Sequence, residues 1–100
     1  MPEFRTEVSH ELGQHEALER LKNFVEEARD RFRDHLQKAE GMWNGNVLDF
    51  SLHASGVTVT GQLTVDDAAA RVRGKLPFLA LPMRGMIERK IAEQLQSELS

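Results

Sequence analysis

Polar and apolar residues alternate along three stretches in the second half of the chain. The period of two runs through Val47–Leu52, Val57–Val65 and Ala68–Phe78. Turn-forming residues separate these stretches at His53–Gly56 and at Asp66-Asp67. The pattern predicts a meander of three antiparallel strands with one apolar face and one polar face.

The first half of the chain changes from a period of two to a helical period. Phe4 to Ser9 alternates and predicts a first strand. From Gln14 to Lys38 the apolar residues recur every three or four positions, which predicts a long amphipathic helix. The members of its apolar stripe are Leu18, Leu21, Val25, Ala28, Phe32 and Leu36. A second helix is predicted after Pro82, with Ile87, Ile91, Leu95 and Leu99 on its apolar side.

These elements predict one α+β domain over residues 1–100. Their order is β-α-β-β-β-α, which gives a two-layer sandwich with a four-stranded antiparallel sheet. Because only one sheet face is apolar, both helices are expected on that face. Gly85 is expected to mark a close approach between the second helix and the sheet.

Trp43 has two possible positions in this scheme. It is out of phase with Leu48, Phe50 and Leu52 if the alternation is strict. A β-bulge at Asn44-Gly45 would return it to the core. Without a bulge it would be an exposed aromatic residue of the kind that anchors interfaces.

Composition and charge exclude several classes of protein. The chain has a formal net charge of −3, which argues against a nucleic-acid partner. It contains no cysteine, so disulfides and thiolate chemistry are excluded. Neither a secretory signal nor a membrane span is visible in the sequence. A cytoplasmic location and no cofactor are expected.

No catalytic or metal-binding motif stands out. His10 and His15 are five residues apart, whereas a helical zinc motif needs a spacing of four. The serines lack the Gly-x-Ser-x-Gly setting of a nucleophile elbow. The sequence therefore predicts a protein that is not an enzyme and that has no metal site.

The polar face of the sheet is one candidate binding surface. Cationic side chains on one strand lie opposite hydroxyl and amide side chains on its neighbour. This candidate partner-binding face comprises Thr58, Thr60, Gln62, Thr64, Arg71, Arg73 and Lys75. It would dock an anionic surface, an acidic partner or a second copy of the chain, and a homodimer is expected because the sheet is open.

An apolar pocket between the sheet and the helices is the alternative. Its expected lining is Phe78, Leu81, Met83 and Met86. Methionine suits adaptable apolar contacts. A carrier of this kind needs an enclosed apolar cavity of about 300 Å³ or more, whereas a docking module needs none.

Several short motifs, in this order along nearly the whole chain, resemble a known family. They are His10-x-Leu12-Gly13 before Glu16-Ala17, Trp43-Asn44-Gly45-Asn46-Val47-Leu48-x-Phe50, Gly61, Leu76-Pro77, and Ile87-Glu88-x-Lys90-Ile91. The chain resembles the polyhydroxyalkanoic acid system family of small bacterial proteins, also described as polyhydroxyalkanoate granule-region proteins.

The resemblance implies a biological setting. It implies bacteria that make polyester storage granules, and it supplies no catalytic residues to transfer. The function expected from it is a non-enzymatic accessory or binding protein of polyhydroxyalkanoate metabolism, located at storage granules and partnered by a granule protein or surface. The alternative is a carrier of an acyl or hydroxyacyl group.

Overall fold

Residues 2–34, 38–54 and 56–100, which a computed structural model describes, form five strands, two α-helices and one 3₁₀-helix. The strands are β1 (Glu3–Ser9), β2 (Lys38–Asn44), β3 (Val47–Ala54), β4 (Val57–Val65) and β5 (Ala69–Lys75). The α-helices are α1 (Gln14–Arg31) and α2 (Arg84–Leu99), and the 3₁₀-helix spans Phe78–Met83.

All five strands form one antiparallel sheet in the order β1-β5-β4-β3-β2. The predicted α+β fold with an antiparallel sheet and two helices is confirmed. The predicted number of four strands is wrong, because β2 adds a fifth strand before the meander. The first strand, β1, pairs with the last strand, β5, and β1 forms one edge of the sheet.

Strand β2 pairs with β3 because the chain reverses direction in a tight hairpin turn at Asn44, Gly45 and Asn46. Gly45 has φ +63°, a conformation that glycine adopts without steric cost. In this hairpin Trp43 pairs with Leu48 and therefore lies on the core side, where it is partly buried. Trp43 reaches the core through a turn between two strands, not through the β-bulge considered above.

The apolar face of the sheet and both helices share one core. Ala17 and Leu21 of α1 and Leu95 and Leu99 of α2 are buried with the sheet residues. The buried residues of the sheet are Phe4, Val8, Leu48, Leu63, Val65, Ala70 and Val72. Because these residues alternate with exposed ones along their strands, the helices cover a single face.

A row across this face consists of two adjacent glycines flanked by two phenylalanines. Phe4 is in register with Gly74, which pairs with Gly61, which pairs with Phe50. A Cβ atom at Gly61 would lie 2.7 Å from Cζ of Phe50, and one at Gly74 would overlap the ring of Phe4. Close approach therefore occurs at these two glycines. The expectation for Gly85 is wrong, since a Cβ atom there would meet nothing within 4 Å.

Helix α1 is shorter than predicted. It begins at Gln14 as expected but ends at Arg31, where the amide of Phe32 donates to the carbonyl of Ala28. Lys38, the predicted last residue of the helix, belongs to β2 instead. Leu36 and its place in the apolar stripe lie outside the described residues.

The chain leaves the sheet earlier than predicted at the end of β5. The strand stops at Lys75, and Pro77 leads into the 3₁₀-helix. Within that helix Ala80 is buried, whereas Phe78 and Leu79 face solvent. The predicted extension of this strand to Phe78 is therefore wrong, because Phe78 belongs to the 3₁₀-helix.

Helix α2 covers the β1 edge of the sheet. The carboxylate of Glu88 accepts a hydrogen bond from the backbone amide of Arg5 at 2.7 Å. The guanidinium of Arg84 lies 3.5 Å from the carbonyl oxygen of Glu3. These contacts occupy backbone groups that an edge strand otherwise offers to another chain.

Candidate functional site

An apolar cleft lies between α1, α2 and the β2–β3–β4 part of the sheet. Its volume is about 280 Å³ and its walls are almost entirely apolar. The walls include Phe24 and Ala28 of α1, Phe32 directly after it, Leu48, Phe50 and Leu52 of β3, Leu63 of β4, Val72 of β5, and Ile91 and Leu95 of α2. This volume is slightly below the value of about 300 Å³ at which small-molecule sites in proteins begin, and the cleft is only partly enclosed.

The cleft exists because α1 is in close contact with the core along only part of its length. Ala17 and Leu21, in its first two turns, are fully buried. Val25 and Ala28, farther along, are only partly buried, and Phe32 at the end is 45% exposed. The cleft therefore lies beneath the second half of the helix. Gly41 contributes no side chain where it lines the cleft from β2.

Among the described residues, Arg29 and Glu40 are the ionisable ones that line the cleft, and they differ in their surroundings. Glu40 forms an ion pair with Lys38 at 3.0 Å, so a cation already compensates its charge. Arg29 lies in the last turn of α1 and is exposed. The cleft thus combines an apolar interior with an accessible guanidinium group, which is suited to an amphipathic acid.

The four residues predicted to line a pocket do not line this one. Phe78, Leu81 and Met83 lie in the 3₁₀-helix and Met86 in the first turn of α2, and all four are exposed. The prediction of an apolar site between sheet and helices thus has a cleft to match it, but with other residues. In the sequence, Phe24, Ala28 and Leu52 belong to the amphipathic patterns of their elements, which is the signal that could have indicated this site. In the structure, each of them is only partly buried.

The predicted partner-binding face is in place on the polar side of the sheet. Thr60, Gln62, Arg73 and Lys75 line a shallow groove of about 420 Å³ there, together with Glu3 and Asp49. Thr58, Thr64 and Arg71 are on the same face but do not line the groove.

Carboxylates offset much of the charge on this face. Arg71 pairs with Asp66 and lies 3.9 Å from Glu7. Gln62 donates to the carboxylate of Asp49 at 2.7 Å. The face is therefore a mixed-charge surface, and its role in binding a partner or a second copy stays a prediction.

His10 lies in the connection between β1 and α1. It is buried, its Nε2 lies 2.9 Å from the carbonyl oxygen of Asp66, and its Nδ1 accepts from the amide of Leu12 at 3.2 Å. His15 instead faces solvent beside Glu19. Within residues 2–34, 38–54 and 56–100, no three His, Asp or Glu side chains gather as metal ligands would.

A membrane-crossing helix needs a long and strongly apolar segment. Neither helix in the described part of the chain has both properties.

The fold and the cleft define a small α+β protein in which two helices cover one face of an antiparallel sheet and leave an apolar site between the layers. Residues 5–99 match the family model described as "Putative polyhydroxyalkanoic acid system protein". The chain belongs to this family. No curated protein and no solved structure matches it.

Proposed function

We propose that this protein is a non-enzymatic accessory protein of the polyhydroxyalkanoate system that binds a small acyl or hydroxyacyl acid in its apolar cleft. The observation that carries the proposal is the cleft itself, with apolar walls and about 280 Å³ of space beside the core. The family's name supports this proposal, because polyhydroxyalkanoates are polymers of hydroxyacyl units. The cleft therefore supports the carrier alternative over a role confined to the polar face.

The size of the cleft limits the ligand. At about 30 Å³ for each water-sized group, the space holds roughly nine such groups. An acid of about six to eight carbons fills it, whereas acetate leaves most of it empty and a long-chain acid extends out of it. Each methylene group buried contributes about 0.8 kcal/mol, so affinity should rise with chain length up to this limit.

The rim sets the orientation of the ligand. The acyl chain lies against Leu63 and Val72 at the bottom of the cleft, and the carboxylate points to Arg29. Because Arg29 is exposed, its attraction for the carboxylate contributes at most about 1 kcal/mol. Apolar contact thus supplies most of the affinity, and the cation selects acids over neutral compounds.

Calorimetric titration of the purified protein with straight-chain acids and their 3-hydroxy derivatives tests the proposal. We expect octanoate to bind more tightly than acetate or stearate. Ala28→Leu fills part of the cleft and should weaken octanoate binding at least about tenfold, since three methylene-sized positions are lost. Glu27→Leu adds the same side chain to the exposed side of α1 and should leave affinity unchanged.

The contribution of the rim is tested on the same turn of α1. Arg29→Ala should weaken octanoate up to about fivefold, and Arg31→Ala, which removes an exposed arginine that does not line the cleft, should not. Failure of all these acids to bind would refute the proposal. Turnover of an acyl ester or thioester by the purified protein would refute its non-enzymatic part.

A further inference from the structure

The 3₁₀-helix after β5 presents apolar side chains to solvent. Leu79 is 91% exposed and Phe78 is 74% exposed. Leu81, Met83 and Met86 are also exposed. A cluster of large apolar side chains in this state is unusual on a protein that acts alone, and it indicates an interaction surface.

The backbone of this segment is held firmly while its side chains project. Leu76 before it is fully buried, and Ala80 within it is buried. The amide of Ala80 donates to the carbonyl of Pro77 at 2.9 Å. Pro82 lies inside the segment and restricts its backbone further. The apolar side chains thus project from a turn whose backbone is anchored to the core at Leu76 and Ala80.

The stretch of sequence that contains this turn is basic, whereas the rest of the chain is acidic. Residues 71–90 contain six basic residues and one acidic residue, a net charge of +5, whereas the other 80 residues carry −8. The six basic residues are all exposed. The single acidic residue, Glu88, is partly buried and accepts a hydrogen bond from the backbone of β1.

Two of these cations border the turn directly. Lys75 is the last residue of β5 and Arg84 is the first residue of α2. Arg84 lies 3.5 Å from the carbonyl oxygen of Glu3, and Glu3 is in register with Lys75. Lys75 and Arg84 therefore lie at the same end of the sheet, on either side of the apolar turn, where Glu3 adds one carboxylate.

We infer that this turn, the 3₁₀-helix Phe78–Met83, together with Met86 and the flanking cations Lys75 and Arg84, is a docking element for an anionic lipid surface. Exposed apolar side chains enter the boundary between headgroups and acyl chains, and neighbouring cations contact anionic headgroups. A second copy of the chain is a poorer occupant, because a two-fold axis here would bring Lys75 and Arg84 close to their own copies. Protruding side chains also suit a fluid surface better than a shaped protein pocket.

Vesicle flotation tests this inference with the full chain. We expect binding to phosphatidylcholine vesicles that contain phosphatidylglycerol and much weaker binding to pure phosphatidylcholine. Added salt should weaken the binding, because exposed charges are screened. Lys75→Gln and Arg84→Gln should each weaken it about fivefold. Equal binding to both kinds of vesicle, or none to either, would overturn the inference.

The apolar contribution is tested with a matched pair of variants. The double variant Phe78→Ser/Leu79→Ser should lose at least about tenfold in vesicle affinity. Met42→Ser removes a side chain that is 74% exposed on β2, far along the sheet from the turn, and should bind like the parent protein. Circular dichroism should show both variants folded, because the replaced side chains are exposed.

Two further outcomes separate this inference from its competitors. If light scattering shows that the parent protein is a dimer and the double variant a monomer, while neither binds vesicles, the turn is a contact between copies and the inference is wrong. Ala28→Leu, which narrows the cleft, should still bind vesicles. Loss of octanoate binding in that variant therefore does not affect this inference.

Discussion

Phe4 and Phe50 lie across Gly74 and Gly61, and this arrangement requires two positions without side chains. Their rings occupy the space that Cβ atoms would take at the two glycines. The packing of the central strands β4 and β5 against the core depends on it. Each ring fills the volume that a side chain would otherwise occupy at the glycine opposite it on the neighbouring strand.

Gly74→Ala is expected to lower the free energy of unfolding by about 1–3 kcal/mol, because the new methyl group forces the Phe4 ring or the backbone to move. Denaturant unfolding measures this change. The same substitution at Gly85 is the control. It has free space and lies in α2, so it should raise stability by up to about 1 kcal/mol. Equal effects at the two positions would contradict the packing described here.

The positions of these glycines show what the sequence could predict at the scale of residues. Alternation placed Gly61 and Gly74 on the apolar face of their strands. It could not align them with each other, because strand register depends on the turns and on pairing between strands. Gly85 was misinterpreted for a related reason: a glycine's neighbours in three dimensions are not visible in its local sequence.

At the scale of elements, the β2–β3 hairpin explains most of the difference between prediction and structure. The prediction located β1, the start of α1 and the three strands of the meander. It missed β2, because the predicted helix extended to Lys38 and Asn44-Gly45 was considered as a β-bulge and not as a turn between two strands. A two-residue connection reverses the chain, so Trp43 and Leu48 meet across the hairpin although they are five residues apart.

The hairpin connection can be tested by substitution at Gly45. With φ +63° and nothing within 4 Å of a new Cβ atom, Gly45→Ala changes backbone conformational energy and little else. It should lower the free energy of unfolding by about 1–2 kcal/mol. Gly45→Asn should cost less, because asparagine tolerates positive φ better. Thermal or denaturant unfolding that shows no difference between the two variants would contradict this turn conformation.

At the scale of the whole molecule, the described part of the chain has two apolar regions that differ in their exposure to solvent. The cleft is partly enclosed between the layers, whereas Phe78–Met86 projects from one end of the sheet. The sequence predicted an apolar site but assigned it to Phe78, Leu81, Met83 and Met86. Local composition is the same whether such residues face inward or outward. Only the end of β5 at Lys75 and the turn at Pro77 determine that they face solvent.

The most direct test of the cleft as an acyl site is a methyl-resolved NMR titration with octanoate. Leu48, Leu63 and Val72 line the cleft, whereas Val8 belongs to the same core but does not line it. An acyl site in the cleft requires saturable shifts of the Leu48, Leu63 and Val72 methyl resonances and little change at Val8. Unchanged Leu63 and Val72 methyl resonances at excess octanoate, or shifts confined to Leu79 and Leu81 of the exposed turn, would contradict it.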